Sequence, residues 1–128
     1  MRTSLVYILV LVGLIFPAPS NASHVELKPC IEIKYCVIAE WDVKSINEPL
    51  KEVQAIVENI PGSEIVEIDG DYMHAEVVSK NMEFVDDLEV SYSPGTKKLV
   101  IRSEAREGMG KFGVNQKRVD SIKTDLLF

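Results

Sequence analysis

The chain has 128 residues, of which 14 are basic and 20 are acidic, and its formal net charge at pH 7 is −6. This length suits a single domain with one modest core. The acidic balance argues against nucleic acid and against anionic membrane surfaces as main partners.

Residues 1–22 have the pattern of a secretory signal peptide. Arg2 supplies positive charge, Leu5–Phe16 form an uninterrupted apolar run, and Ser20-Asn21-Ala22 places small residues at a cleavage site. The alternative is a membrane anchor, but a spanning helix needs about 20 apolar residues, which is more than this run contains. We therefore predict cleavage, which leaves no membrane span.

The predicted mature segment, residues 23–128, is expected to form one globular domain. It keeps 13 basic residues and all 20 acidic residues, so its formal charge is −7. We expect export to the periplasm or the medium, or to a lumen if the source is a photosynthetic organelle. The partner classes that remain are an envelope protein and a small anion.

Cys30 and Cys36 are the only cysteines of the chain. Export permits a disulfide, and an even count leaves no thiol unpaired. The alternatives are a redox pair and a set of metal ligands, but the five intervening residues match neither C-x-x-C nor the usual zinc spacings. We predict a structural disulfide, and no metal or other cofactor.

The first half of the predicted domain contains an extended stretch and a helix. Lys34–Ile38 is apolar and β-branched enough for a short strand, and a polar connector follows it. A helix is predicted to begin at Asn47, whose side chain can cap it, with Pro49 in the first turn. Its apolar stripe recurs at helical spacing, and Pro61-Gly62 ends it.

Four strand patterns and a last helix follow. The strands are predicted at 64–68, 72–78, 84–92 and 97–103, and their short connections favour an antiparallel meander. The last helix begins at Asn115, with an apolar stripe of Val119, Ile122 and Leu126. We predict an α+β fold, a two-layer sandwich in which a meander of about four strands carries two helices on one face.

The stretch "FVDDLEV", residues 84–90, places three carboxylates inside a strand pattern. Side chains alternate across a strand, so Asp86 shares the apolar face with Phe84 and Leu88. Asp87 and Glu89 share the opposite face. A carboxylate on the apolar face needs hydrogen-bond donors, because an unpaired buried charge is costly.

The expected hairpin turn, Ser93–Thr96, sets the register of the two strands that it joins. It aligns Tyr92 with Lys97 and thereby places Asp87 opposite Arg102, in an exposed ion pair. Asp86 falls opposite Ser103 in the same register. The donors that we expect for the buried Asp86 carboxylate are Ser103, Arg106 and Arg118.

Three stretches of the chain, "FVDDLEV", "VIRSEAREG" and "FGVNQKRV", together resemble one family, which is called domain of unknown function 1499. Its pattern runs F-V-D-D-x-E, then R-S-x-S-R-x-G, then L-G-x-N-x-x-R, and "DYMHAEVVSK" fits its preceding strand. The resemblance covers about residues 29–119. It implies a fold and an exported or envelope setting, but no activity.

The chain departs from the family pattern at several polar positions. Ala105 replaces the second serine of the arginine-serine motif, and Lys111 stands in place of an aspartate. The residues between and after the two cysteines lack the prolines, asparagine and serines of the family. If those positions bind a ligand in the family, this chain binds it differently or not at all.

Three interpretations fit the charged residues. In the first, Asp86, Asp87, Glu89 and Ser103 form a structural network with the arginines of a non-catalytic domain. In the second, a binding module takes a small anion at the last helix through Arg102, Arg106, Asn115 and Arg118. In the third, carboxylates act as acid and base in a hydrolase.

The first interpretation is favoured, and we assign no catalytic residue. Asp86 and Asp87 point to opposite faces, so they cannot flank one substrate. A structural network predicts that each arginine is satisfied by a carboxylate or carbonyl. A binding module predicts unpaired arginines around a cavity.

Overall fold

The computed structural model describes residues 25–108 and 110–127, so the predicted signal peptide at 1–22 lies outside the described residues. Five strands and two helices follow one another in the order β1, α1, β2, β3, β4, β5, α2. Their bounds are Cys36–Asp42 for β1, Pro49–Glu58 for α1, Ser63–Asp69 for β2, Tyr72–Val78 for β3, Val85–Ser93 for β4, Lys98–Ala105 for β5 and Val114–Leu127 for α2.

The five strands form one antiparallel sheet in the order β1-β5-β4-β3-β2. The last four strands are the predicted meander, and β1 joins it along β5. The strand predicted at 34–38 begins and ends earlier in the chain than β1, which spans Cys36–Asp42. The strand runs on to Asp42 because Trp41 is buried in the core and Asp42 pairs with Lys98 of β5. The α+β class with two helices is confirmed.

Helix α1 begins at Pro49 rather than at Asn47, so the predicted cap is wrong. Glu48 occupies the N-cap position and makes no side-chain cap hydrogen bond. Proline suits the first turn, because its fixed φ is helical and the first turn needs no intrahelical N–H. Beyond the helix, Gly62 has a φ of +83°, and a Cβ there would lie 2.3 Å from the carbonyl oxygen of Val78.

Both helices pack on one face of the sheet, as predicted. The alternating residues of the strands and the apolar stripes of the helices meet in one buried cluster. Each fully buried aliphatic side chain contributes roughly 1.5–3 kcal/mol. The members of this core include Met73, Ala75 and Val77 of β3, Leu88 and Val90 of β4, Leu99 and Ile101 of β5, Val53 and Val57 of α1, and Val119, Ile122 and Leu126 of α2.

The register of the hairpin between β4 and β5 differs from the prediction by two residues. Ser93 pairs with Lys98 and Tyr92 with Leu99, so the loop is Pro94–Lys97. Lys97 adopts a left-handed φ of +55°, and its N–H donates to the carbonyl of Ser93 at 2.8 Å. The chain thus turns one residue later than expected.

This shift changes the cross-strand partners but not the faces, since side chains alternate with a period of two. Asp87 lies opposite Glu104 rather than Arg102, and Asp86 lies opposite Ala105 rather than Ser103. The predicted Asp87–Arg102 pair is therefore wrong. The predicted inward direction of Asp86 is right, because its residue is only 9% exposed.

The segment before β1 crosses the sheet face that the helices leave open. Ser91 Oγ donates to the carbonyl of Val25, and Arg102 Nη2 lies 3.5 Å from the carbonyl oxygen of Pro29. The predicted disulfide of Cys30 and Cys36 is confirmed, with an S–S distance of 2.07 Å. No helix of the described ranges is long and apolar enough to cross a membrane.

Candidate functional site

A buried polar cluster lies where the amino end of α2 meets the sheet. We call it the inner cluster, and it consists of Asp86, Ser103, Asn115 and Arg118. Strand alternation turns the first two residues toward the helices, and the spacing of three residues brings the other two to one face of α2. Each of the three motifs that carry the family resemblance supplies at least one member.

The inner cluster is closed by short hydrogen bonds. Arg118 Nη1 lies 2.9 Å from Asp86 Oδ2, 2.9 Å from Asn115 Oδ1 and 3.1 Å from Ser103 Oγ. Ser103 Oγ donates to Asn115 Oδ1 at 2.6 Å. Of the expected donors to Asp86, Arg118 is in place, Ser103 bonds to Asn115 instead, and Arg106 lies on the opposite face.

A second group of charges covers the opposite face of the sheet, and we call it the outer cluster. It is built around Asp87, which lies directly opposite Glu76 on β3 and Glu104 on β5. Like charges in such positions repel. Arg106 relieves the repulsion, because it lies between Asp87 and Glu76 and pairs with both.

The contacts of Asp87 perturb its acidity. Its carboxylate accepts hydrogen bonds from Arg106 Nε at 3.0 Å and Nη2 at 2.7 Å, and His74 Nε2 lies 2.8 Å away. The Arg106 hydrogen bonds, and to a smaller extent the His74 contact, lower the pKa of Asp87. The same contacts with Asp87 and Glu76 raise the pKa of Arg106.

Arg102 and Tyr72 complete the outer cluster beside two glutamates. Arg102 Nη2 lies 2.9 Å from Glu104 Oε1, and Nη1 lies 3.7 Å from Glu89 Oε1. Tyr72 donates its hydroxyl proton to Glu89 Oε2 at 2.6 Å. Burial, followed by this hydrogen bond, raises the pKa of Tyr72. A shallow cleft of about 480 Å³ lies over these residues.

A cavity of about 390 Å³ opens next to the inner cluster, at the amino end of α2, and we call it the α2 cavity. Of the residues predicted to bind an anion, only Asn115 lines it. Arg118 is not among the lining residues, and Arg102 and Arg106 belong to the outer cluster. The full lining consists of Ser79, Lys80, Asn81, Phe84, Asp86, Gly110, Lys111, Val114 and Asn115.

Sequence reasoning missed the turn that forms one wall of the α2 cavity. Ser79 Oγ accepts the N–H groups of Glu83 and Phe84, at 3.2 and 3.1 Å, and donates to Asn81 Oδ1 at 2.8 Å. This Ser-x-Asn pattern before the strand is the signal that could have indicated an ordered turn. In 25–108 and 110–127, no group of three histidine, cysteine or acidic residues could hold a metal ion.

Comparison with known proteins adds one finding. The chain matches the family model described as Protein of unknown function (DUF1499) over residues 16–126, a longer range than the expected 29–119. No curated protein matches the chain. The family match includes β1 to β5, α1, all but the last residue of α2, and both charged clusters. The chain therefore belongs to the family described as Protein of unknown function (DUF1499).

Proposed function

We propose that this chain is an exported, non-catalytic domain of the periplasm, envelope or medium, and that its carboxylate–arginine clusters stabilise the fold. One observation carries the proposal. Each of the three arginines among the described residues already has a carboxylate partner within 3 Å: Arg102 has Glu104, Arg106 has Asp87, and Arg118 has Asp86. The predicted signal peptide supports export, and the disulfide is consistent with it.

The outer cluster has the wrong electrostatics for acid–base catalysis. A general acid or base works best when its pKa lies near the operating pH. The pKa of Asp87 is lowered instead, so this carboxylate stays ionised at neutral pH. His74 contacts Asp87, but within the described ranges no hydroxyl or thiol group lies within hydrogen-bond distance of its ring.

The arginines are also poorly placed to receive an anion. A ligand at the Nη1 atom of Arg118 would have to displace the carboxylate of Asp86, whose side chain is only 13% exposed. Leaving that carboxylate buried without its partner costs about 3–5 kcal/mol. Such a cost favours a permanent pair over a site that exchanges ligands.

A double-mutant cycle on the ion pair of Asp86 and Arg118, which we call the inner pair, tests the structural role. The variants are Asp86→Asn, Arg118→Gln and their combination, each unfolded in urea beside the wild type. We expect each single variant to lose stability and the pair to show a coupling of about 1 kcal/mol or more, since the two side chains form one buried unit.

A second cycle supplies the control. Asp42 and Lys44 lie 3.5 Å apart, but their side chains are 45% and 72% exposed. Asp42→Asn and Lys44→Gln should show no measurable coupling, because exposed ion pairs are screened by solvent. If the inner pair showed as little coupling as this one, the structural role would be refuted.

A further inference from the structure

The α2 cavity has the size of a small-molecule site, and most of its lining residues belong to neither charged cluster. Its volume of about 390 Å³ lies in the range of about 300–1,000 Å³ that is common for ligand pockets. It is bounded by the turn at 79–84 on one side and by the loop and helix end at 110–115 on the other. Asp86 and Asn115 of the inner cluster lie at its edge, and the outer cluster supplies none of its lining.

One part of the cavity wall is apolar. Phe84 is half-buried directly before β4, and Val114 is half-buried in the first turn of α2. The hydrogen bonds of Ser79 to the amides of the turn hold Phe84 at its place before any ligand arrives. A preformed apolar wall of this kind favours a hydrocarbon chain or ring, because binding then orders few protein groups.

The polar part of the wall carries uncompensated positive charge. Lys80 and Lys111 both line the cavity and are exposed, and within the described part of the chain neither ammonium group has an ion-pair partner. Asp86 also lines the cavity, but Arg118 already neutralises it at 2.9 Å. A bound cation would therefore meet two free lysines, whereas an anion would find two donors.

From this arrangement we propose that the α2 cavity binds a small amphipathic monoanion, a carboxylate with an apolar tail or ring. The apolar part lies against Phe84 and Val114, and the carboxylate lies between Lys80 and Lys111. The amino end of α2 adds a partial positive charge on the same side. The site differs from one at the arginines, because it requires no ion pair of the protein to open.

Calorimetric titration of the purified chain with three probes tests this proposal. Octanoate has both a charge and a tail, 1-octanol has the tail alone, and acetate has the charge alone. We expect octanoate to bind at least about tenfold more tightly than either of the others. Added salt should lower the affinity for octanoate and leave the affinity for 1-octanol unchanged, since only the anion contacts the lysines.

Two double variants then locate the site. Lys80→Gln with Lys111→Gln should lower the affinity for octanoate about tenfold or more, because both charged contacts are lost. Lys34→Gln with Lys117→Gln is the matched control, since these exposed lysines line a neighbouring groove and not the α2 cavity. All four side chains are exposed, so both proteins should unfold at the urea concentration of the wild type.

Three results would overturn the proposal. The first is equal binding of octanoate and 1-octanol, which would remove the role of charge. The second is an equal loss of affinity in the two double variants, which would place octanoate elsewhere. The third is no heat of binding for octanoate at millimolar concentration. None of them bears on the structural role of the inner pair, which the urea cycle measures separately.

Discussion

Replacing Asp86 by alanine should be far more damaging than replacing its neighbour Asp87. Asp86 is the carboxylate of the inner cluster, and its side chain is 13% exposed while that of Arg118 is 11% exposed. In the variant, the Arg118 guanidinium stays buried without a counter-charge. Ser103 and Asn115 still accept from the same nitrogen, so part of the hydrogen bonding survives.

The magnitude follows from these contacts. Breaking one side of a buried ion pair costs about 3–5 kcal/mol, and the surviving acceptors place Asp86→Ala near the lower end, at ~3 kcal/mol. A domain of this size is stable by only about 5–15 kcal/mol, so the loss is a large fraction of the total. It should appear as a clear fall in the midpoint of urea unfolding.

Asp87→Ala is the matched comparison, one residue along the same strand. Its partner Arg106 is 42% exposed, so water can solvate the guanidinium when the carboxylate is removed. We expect a loss of about 1 kcal/mol, as for other ion pairs with solvent access. Equal losses in the free energy of unfolding for the two variants, or a larger loss for Asp87→Ala, would refute the conclusion that Asp86 and Arg118 form the more stabilising pair.

Five further outcomes are expected. Thiol titration of the denatured, unreduced protein should find no free thiol, and Cys30→Ser with Cys36→Ser should lower the free energy of unfolding by ~2 kcal/mol. Because the pKa of Asp87 is lowered from 3.8, its contribution to stability is present above that pH and lost below it. Urea midpoints between about pH 5 and pH 2 should therefore fall more steeply for the wild type than for Asp87→Asn. Because the pKa of Tyr72 is raised above 10.0, its contribution to stability is present below pH 10 and lost as the pH rises further. Above pH 10, the urea midpoint should therefore fall less steeply with pH for Tyr72→Phe than for the wild type. Intact-mass measurement of the exported protein should show that residues 1–22 are absent, and retention of these residues in a cytoplasmic species would contradict export.

The family-like motifs serve two separate structures, and this division explains their composition. Adjacent residues of β4 point to opposite faces, so Asp86 belongs to the inner cluster and Asp87 belongs to the outer cluster. The arginines divide in the same way. A stretch that reads as one acidic motif therefore supplies two charged clusters that share no side-chain contact, and substitutions in the two should be additive in stability.

The directions of the side chains could be predicted from the sequence. A strand has a period of two and a helix has a period of 3.6, so the apolar residues alone identify the covered face of each element. For that reason two predictions are correct although the predicted register is wrong by two residues. They are the inward direction of Asp86 and the buried stripe of Val119, Ile122 and Leu126. The same local patterns indicated the α+β class, which the seven elements confirm.

The partners of those side chains were decided by the tertiary structure. Lys97 takes a left-handed conformation that the sequence did not indicate, and this moves the hairpin by one residue and its register by two. Arg106 then reaches Asp87 while Arg102 reaches Glu104. The α2 cavity has the same origin, because Lys80 and Lys111 are 31 positions apart and line one cavity only when the turn and the helix end fold together. Such contacts depend on the closure of loops and the packing of α2 on the sheet, which no periodicity along the chain encodes.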